Sequence, residues 1–166
     1  PLYALSSGQQ ELLPLWVTLD YFESSLPYYS SEVSGPKFLY IEEPEAHLFP
    51  EAQTAIVDVL VSLLKKPKSG SQMVLTTHSP YILAKANNLL LAGRMGFRKR
   101  KYRQQQVSKI VPRSRWLLNS DVACYGLVDG VAVDIIGEDG LISTDYIDSV
   151  SQDVIDEYSD LVEIGL

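Results

Sequence analysis

Two short runs of strand-forming residues, each of which ends abruptly at polar residues, constrain the fold of this chain more than any other feature. The first is Phe38–Ile41, followed at once by Glu42 and Glu43, and the second is Met73–Thr77, followed by "HSP". Continuous runs of this length and type are typical of buried parallel strands. In such sheets, ligands bind beyond the carboxyl ends of the strands.

Helical patterns surround these two runs and set the fold class. One helix is predicted over Gln9–Glu23, a second begins with Pro50 and Glu51 in its first turn, and a short third follows the second strand through Ala86. The alternation of strand and helix predicts an α/β fold with a parallel sheet and crossover helices.

The second half of the chain carries further strand and helix patterns. We predict two more strands, at Leu89–Ala92 and Val107–Val111. We also predict a hairpin in which Val122–Leu127 and Val131–Ile136 are joined around "VDG". Thr144 and Asp145 cap a predicted helix whose apolar residues recur at spacings of three and four: Ile147, Val150, Val154, Tyr158 and Leu161. We expect that helix to pack onto the domain's own sheet.

Composition narrows the class of protein. With 166 residues, 46% of them apolar, the chain has enough material for a core, and its single cysteine, Cys124, excludes an internal disulfide. No apolar run is long enough to span a membrane, and the start lacks a signal-peptide pattern. We therefore expect a cytoplasmic protein, and the missing initiator methionine predicts a piece of a longer chain.

Charge is distributed unevenly along the sequence. Between Arg94 and Arg115 there are nine bases and no acid, whereas the following residues to Leu166 hold twelve acids and no base. The basic stretch, with Phe97 and Tyr102 among its bases, could contact nucleic-acid phosphates. The alternative is a solvated loop that offsets the acidic segment after it.

The acidic pair at the end of the first strand suggests phosphoryl-transfer chemistry. Adjacent side chains point in different directions, so one of Glu42 and Glu43 can hold Mg²⁺, often through water, while the other orients or deprotonates an attacking water. The alternative is that these carboxylates only neutralise the positive end of the next helix.

The two histidines and the first helix start add to this picture. His78 follows the second strand and can donate a hydrogen bond to a phosphate oxygen. A structural role is the alternative for either histidine taken alone, and for His47 the two readings are evenly balanced. Ser6 or Ser7 can cap the first helix, and Gly8 lets a phosphate approach its amide groups. An ordinary helix cap is the alternative for this motif.

Three quoted motifs together resemble the ABC-type ATPase head. "LSSGQ" at Leu5–Gln9 resembles the signature motif, "FLYIEEPEAHLFP" at Phe38–Pro50 resembles the Walker B strand with its D-loop, and "VLTTHSP" at Val74–Pro80 resembles the switch-histidine loop. The wording is most similar to the OLD, RecF and SMC-like ATPases of DNA repair and phage defence. The resemblance covers about the first half of the chain, and it departs from most relatives in having glutamate rather than aspartate at Glu42.

The resemblance implies a fold, cofactors and residue roles. The fold would be the C-terminal lobe of a P-loop NTPase-like head, with a mostly parallel sheet, flanking helices, a hairpin and a last helix. ATP and Mg²⁺ would be the cofactors, with Glu42 assisting Mg²⁺ through water, Glu43 as general base and His78 on the γ-phosphate. Four residues would reach ATP held by the partner of a homodimer: Ser6, Ser7, Gly8 and Gln9.

The same resemblance also implies what the chain needs from elsewhere. The sequence contains no GxxxxGK[ST] phosphate loop, so we expect an N-terminal Walker A lobe of the same protein, and an isolated chain that hydrolyses no ATP. We divide the chain into 1–93, with the three motifs, and 94–166, which completes the lobe with a basic loop, the hairpin and the acidic helix. The candidate DNA contacts are basic: Arg98, Lys99, Arg100, Lys101 and Arg103. Alternatives are a regulatory or scaffolding module with vestigial catalytic groups, or a fragment of an ABC transporter nucleotide-binding subunit.

Overall fold

The computed structural model describes residues 6–23, 37–65, 71–97, 100–143 and 156–157. The helices and strands of these residues follow in chain order: α1 (Ser7–Glu23), β1 (Phe38–Glu42), α2 (Pro50–Leu64), β2 (Gln72–Thr76), α3 (Pro80–Gly96), α4 (Lys101–Ile110), β3 (Tyr125–Val128) and β4 (Val131–Asp134). The chain divides into two compact units, residues 1–82 and residues 83–166. The fold is mixed α/β, with a small parallel sheet and helices.

A two-stranded parallel sheet is the centre of the first unit. β1 pairs with β2 in parallel, from Phe38 opposite Gln72 to Glu42 opposite Thr76. One face of β1 packs on α1 and α2 in a single apolar cluster of buried side chains: Leu19, Leu39, Ile41, Ile56, Leu60 and Leu63. The predicted strand–helix–strand order and the parallel pairing are therefore confirmed.

The opposite face of this sheet is open. Phe38 and Tyr40 on β1 are 64% and 56% exposed, and Val74, which pairs with Tyr40, is 43% exposed. Parallel sheets in α/β proteins are normally covered on both faces. The prediction that β1 is buried throughout is therefore wrong for this face, since only alternate residues of the strand reach the core. Trp16 on α1 is exposed as well, at 59%.

The second unit is built around a buried tryptophan. Trp116 is fully buried beside Ala92 of α3 and Val107 of α4, and its indole Nε1–H donates to the Val111 carbonyl at 2.8 Å. A Cβ atom at Gly96 would overlap the Trp116 ring. This close approach explains why a glycine stands at the end of α3.

The hairpin predicted around "VDG" is confirmed. β3 and β4 pair antiparallel, with Val128 opposite Val131, and the two turn residues Asp129 and Gly130 have φ of 50° and 79°. Positive φ at both central residues is the requirement of the tight turn that matches strand twist, and Asp-Gly satisfies it.

Two other predicted strands are wrong. Leu89–Ala92 lies inside α3, which continues ten residues beyond its predicted end at Ala86, and Val107–Ile110 lies in α4. Leu89 and Leu90 are almost fully buried, so their run of apolar residues reflects a helix covered on several sides rather than a strand. The predicted basic loop is also helical over Lys101–Ile110.

The predicted C-terminal helix, with its cap at Thr144 and Asp145, lies outside the described residues except at Asp156 and Glu157, which are helical and exposed. No helix among the described residues is both long and apolar enough to cross a membrane.

Candidate functional site

Glu43 and His78 meet at the carboxyl ends of β1 and β2. The Nε2 atom of His78 lies 2.9 Å from Oε1 of Glu43, and both side chains are accessible, at 86% and 47% exposure respectively. An exposed contact of this kind adds little to stability. Its interest is its position, since the open ends of parallel strands are where α/β sheets bind ligands.

Backbone geometry directs the Glu43 carboxylate toward β2. Glu43 has φ of 42°, a left-handed conformation that non-glycine residues rarely adopt. Its N–H donates to the Thr76 carbonyl at 3.0 Å and lies 3.3 Å from the Thr76 hydroxyl. Residues held in sparsely populated backbone conformations cluster at functional sites, where surrounding contacts maintain them.

Glu45 fixes the segment that carries His78, although no sequence motif marks it as a site residue. One carboxylate oxygen of Glu45, Oε1, accepts the Thr77 hydroxyl at 2.6 Å and the His78 N–H at 2.7 Å. Its other oxygen, Oε2, is buried and has no hydrogen-bond partner among the described residues. The only sequence signal was its place as the third acid of "EEPE".

A second set of contacts joins the same loop to α2 and α3. Ser79 is buried, donates to Oε1 of Gln53 at 2.5 Å, and accepts the N–H groups of Tyr81 and Ile82 as the N-cap of α3. Gln53 in turn donates to the Leu48 carbonyl at 2.8 Å. The residues on either side of His78, Thr77 and Ser79, are thus held by buried or half-buried side chains.

Glu42 lies on the open face of the sheet. It is the last residue of β1 and shares its exposed side with Phe38 and Tyr40, opposite the buried Leu39 and Ile41. Glu42 and Glu43 are therefore both exposed, but the chain turns between them. This arrangement agrees with the expectation that the two carboxylates face different surroundings.

The start of α1 forms its own cap. The Ser6 hydroxyl accepts the Gln9 N–H at 3.3 Å, and the Gln9 side chain accepts the Ser6 N–H at 3.0 Å, a reciprocal capping box. Ser6 is exposed, and Ser7 is the first residue of the helix. The Ser6 and Gln9 side chains each bond the other residue's backbone N–H.

Gly8 brings the helix start against the loop that follows β1. A Cβ atom at Gly8 would lie 2.7 Å from the His47 carbonyl oxygen, so only glycine permits this approach. His47 has φ of 59° and an exposed side chain. The loop from Glu43 to Leu48 therefore touches both β2 and the start of α1, and its backbone explains Gly8 without a ligand.

The carboxylates fit a magnesium site completed by other ligands. Within the described part of the chain, no group of three or more His, Cys, Asp or Glu side chains could hold a metal ion alone. Mg²⁺ is usually bound by one or two carboxylates together with waters and substrate phosphates, rather than by a cage of protein ligands. Glu42, an exposed carboxylate at the end of β1, could make that protein contribution.

The structure describes three of the five candidate DNA-contacting residues. Arg100, Lys101 and Arg103 are exposed at the start of α4, whereas Arg98 and Lys99 lie outside the described residues. Other bases of the stretch make contacts within the protein: Arg113 lies over the Trp116 ring at 5.9 Å.

The described residues form a mixed α/β protein with a carboxylate–histidine pair at the carboxyl ends of two parallel strands. Residues 1–83, half of the chain, match the family model for the AAA ATPase domain, and the chain belongs to that family. The match indicates an ATPase-type function. Neither a curated protein nor a solved structure matches the chain.

Proposed function

We propose that this chain is the C-terminal part of an ATP-hydrolysing ABC-type head of the OLD, RecF and SMC-like group. The observation that carries the proposal is the 2.9 Å contact between Glu43 and His78 at the ends of β1 and β2. Membership of the AAA ATPase domain family supports the reaction class, and the quoted motifs support the narrower group.

In this proposal, the pair handles the proton and the phosphate. Glu43 accepts a proton from the attacking water or orients that water, as a positioned carboxylate does in phosphoryl transfer. His78 donates from Nε2 to a phosphate oxygen, exchanging Glu43 for the substrate as its partner. Glu45 holds the His78 backbone during this exchange, because its Oε1 accepts the His78 N–H.

ATP and Mg²⁺ are the cofactors that AAA ATPases generally use. Bound Mg²⁺ would neutralise charge on the phosphate oxygens. Glu42 would hold it through water, and its exposure at the strand end directly before Glu43 supports this role. Ser6, Ser7, Gly8 and Gln9 would contact a nucleotide held by a second subunit, which makes the functional unit a homodimer.

The open face of the parallel sheet supports a further lobe in the intact protein. Phe38, Tyr40 and Val74 leave an apolar surface on a sheet type that is normally covered on both sides. We propose that a lobe carrying a Walker A phosphate loop covers this face and supplies the main nucleotide anchor. Burying these side chains would contribute to the association of the two lobes.

The biological setting is inferred from the narrower group alone. A role in DNA repair or phage defence, a cytoplasmic location, and DNA contact through the exposed bases at the start of α4 are parts of the proposal. DNA contact predicts an affinity that falls steeply with added salt, which an electrophoretic shift titration at two ionic strengths would measure.

The central experiment compares two glutamate variants of the intact protein. We expect Glu43→Gln to slow Mg²⁺-dependent ATP hydrolysis about 10² to 10⁴-fold while sparing nucleotide binding, because it removes the base but keeps the shape. Glu51→Gln is the matched control, since Glu51 is an exposed glutamate of α2 outside the pair. Steady-state turnover and calorimetric ATP titration give the two readouts.

The outcomes separate the proposal from its alternatives. Unchanged turnover in Glu43→Gln removes Glu43 from the reaction. Absence of hydrolysis in the intact wild-type protein favours a regulatory or scaffolding module. The isolated chain is expected to bind ATP weakly or not at all, and tight binding by it would show that the anchor lies within these residues.

A further inference from the structure

An open groove runs between α3 and α4 within the second unit. Its volume is about 510 Å³, and its lining is mainly apolar, with contributions from Leu91, Met95, Val107 and Ile110. Ile110 is 84% exposed and Met95 is 40% exposed. Large apolar side chains that lie together at such exposure mark a surface where another molecule binds. The volume lies within the range of clefts that hold ligands.

An exposed aromatic ring and two side-chain amides belong to the same groove. Tyr102, in the first turn of α4, lines the groove and is 72% exposed. Gln106 and Ile110 follow at intervals of four residues, so these three side chains form one stripe along the helix. Gln106 and Asn88 also line the groove. An exposed ring offers a face on which a nucleobase can stack, and amides can hydrogen-bond the edges of nucleobases.

Basic side chains run along the wall that α4 forms. Arg103 lines the groove, and none of the lining residues that the structure describes is acidic. Helix α4 contains Lys101, Arg103 and Lys109 and no acid, and all three basic side chains are exposed. A helix of this length extends about 15 Å, so positive charge accompanies the groove along α4. Such a row of charges complements a phosphate backbone.

The combination of ring, apolar lining and positive charge favours a single strand over a duplex. The nucleobases of a duplex stack on each other, so phosphate contacts with the basic side chains would leave the Tyr102 ring uncovered. An unpaired nucleobase can cover that ring and enter the groove. Deoxyribose suits the apolar lining better than ribose, because burying an additional hydroxyl group without a hydrogen bond costs free energy.

We propose that the groove between α3 and α4 binds single-stranded DNA, with a nucleobase stacked on Tyr102 and the phosphates along Arg103 and Lys109. Single-strand binding here rests on the DNA contact in the proposed function, to which it adds the form of the strand and an aromatic partner. The groove is built from the second unit alone, so this binding requires neither the Glu43–His78 pair nor ATP.

The test is fluorescence anisotropy of a labelled oligothymidylate with the full 166-residue chain, in the absence of ATP. The probe has about 12 nucleotides, within the range of about 4–16 that single-stranded sites of other proteins cover. We expect the probe to bind more tightly than a hairpin duplex with the same number of phosphates. Tyr102→Leu keeps an apolar side chain but removes the ring, and should weaken binding about 5- to 100-fold. Tyr125→Leu is the matched control, because Tyr125 is 62% exposed on β3 of the same unit and should leave the affinity unchanged.

Two further variants separate the ring from the charge. The affinity for the probe should fall with added salt, and Arg103→Gln should reduce the slope of log affinity against log salt by about 0.7, the share of one phosphate contact on a single strand. Tyr102→Leu should leave that slope unchanged. Tyr102→Trp keeps an aromatic face and should bind at least as tightly as the wild-type chain.

Each contrary outcome overturns the assignment. Equal binding of single strand and duplex, with no effect of Tyr102→Leu, limits the DNA contact to phosphates and excludes the groove from it. Tighter binding of an oligouridylate of ribonucleotides assigns the groove to RNA. Binding of an acidic amphipathic peptide that Tyr102→Leu abolishes, without binding of any oligonucleotide, assigns the groove to a protein partner. Absence of binding by every oligonucleotide refutes DNA contact by this unit, whereas the ATPase proposal depends on the separate turnover of Glu43→Gln.

Discussion

Glu45→Ala tests whether a single carboxylate fixes the position of His78. The substitution removes the acceptor of two short hydrogen bonds, from the Thr77 hydroxyl at 2.6 Å and from the His78 N–H at 2.7 Å. Hydrogen bonds to charged groups contribute about 1.5–3 kcal/mol each. The same change removes the buried Oε2 atom, which lacks a described partner. Removing it offsets the loss of stability by about 1 kcal/mol.

The net expectation is a loss of about 2 kcal/mol from the stability of this loop, with both bonds at the low end of their range. That loss corresponds to roughly 30-fold faster exchange of the His78 amide, since each 1.4 kcal/mol is a factor of ten. Amide exchange measured by NMR reports the effect locally. Glu45→Gln keeps one acceptor oxygen without its charge, so we expect a smaller loss of about 1 kcal/mol.

Two further variants make the result interpretable. Thr77→Val removes the bond to Glu45 and also the acceptor of the Ser79 N–H at 3.0 Å, so it should accelerate His78 exchange at least about tenfold. Glu51→Ala removes an exposed glutamate from the first turn of α2 and should cost about 0.5 kcal/mol through the helix dipole, with no effect on the His78 amide. If Glu45→Ala and Glu51→Ala gave the same His78 exchange rate, the positioning role of Glu45 would be refuted.

Three other perturbations test the cores and the cysteine. Leu60→Ala, at a side chain only 3% exposed in the first unit, should lower the free energy of unfolding by about 2–5 kcal/mol in a urea titration; a change under 1 kcal/mol would contradict the assigned core. Gly96→Ala should lower stability by about 1–3 kcal/mol, because the added methyl overlaps the Trp116 ring; an unchanged thermal midpoint would argue against that packing. Burial, and secondly the charge of Asp134, raise the pKa of the Cys124 thiol. The thiol therefore contributes stability that is complete below its unfolded pKa and is lost as the pH rises through the folded value. Alkylation by iodoacetamide should accelerate at a higher pH in the native protein than in urea, and Asp134→Asn should move the native profile part of the way back; coincident native and unfolded profiles would disprove the shift.

Local sequence patterns predicted the parts of the fold that local rules govern. The apolar run at Phe38–Ile41 and the Pro-Glu start of α2 predicted a strand and a helix, and Asp129-Gly130 supplied the positive φ that a tight hairpin needs. The meeting of Glu43 and His78 also followed from sequence, because both come directly after strands whose parallel pairing places their ends together.

The errors came from packing that local patterns do not record. Leu89–Ala92 is a short apolar run whose length fits a strand, but it belongs to a helix that is buried on several sides. Gly93 and Gly96 admit the Leu117 backbone and the Trp116 ring, contacts with residues more than 15 positions away that no local pattern predicts. The hydrogen bonds that distinguish Glu45 join residues 32 and 33 positions apart, so no window of sequence contains them.

The contrast between the two tryptophans gives each unit its own optical signal. The chain contains only Trp16 and Trp116, one in each unit. Trp16 is 59% exposed and Trp116 is fully buried, so a soluble collisional quencher will dim the first while sparing the second. The part of the emission that becomes quenchable on denaturation therefore reports the unfolding of the second unit. The measurement needs only the unlabelled wild-type protein.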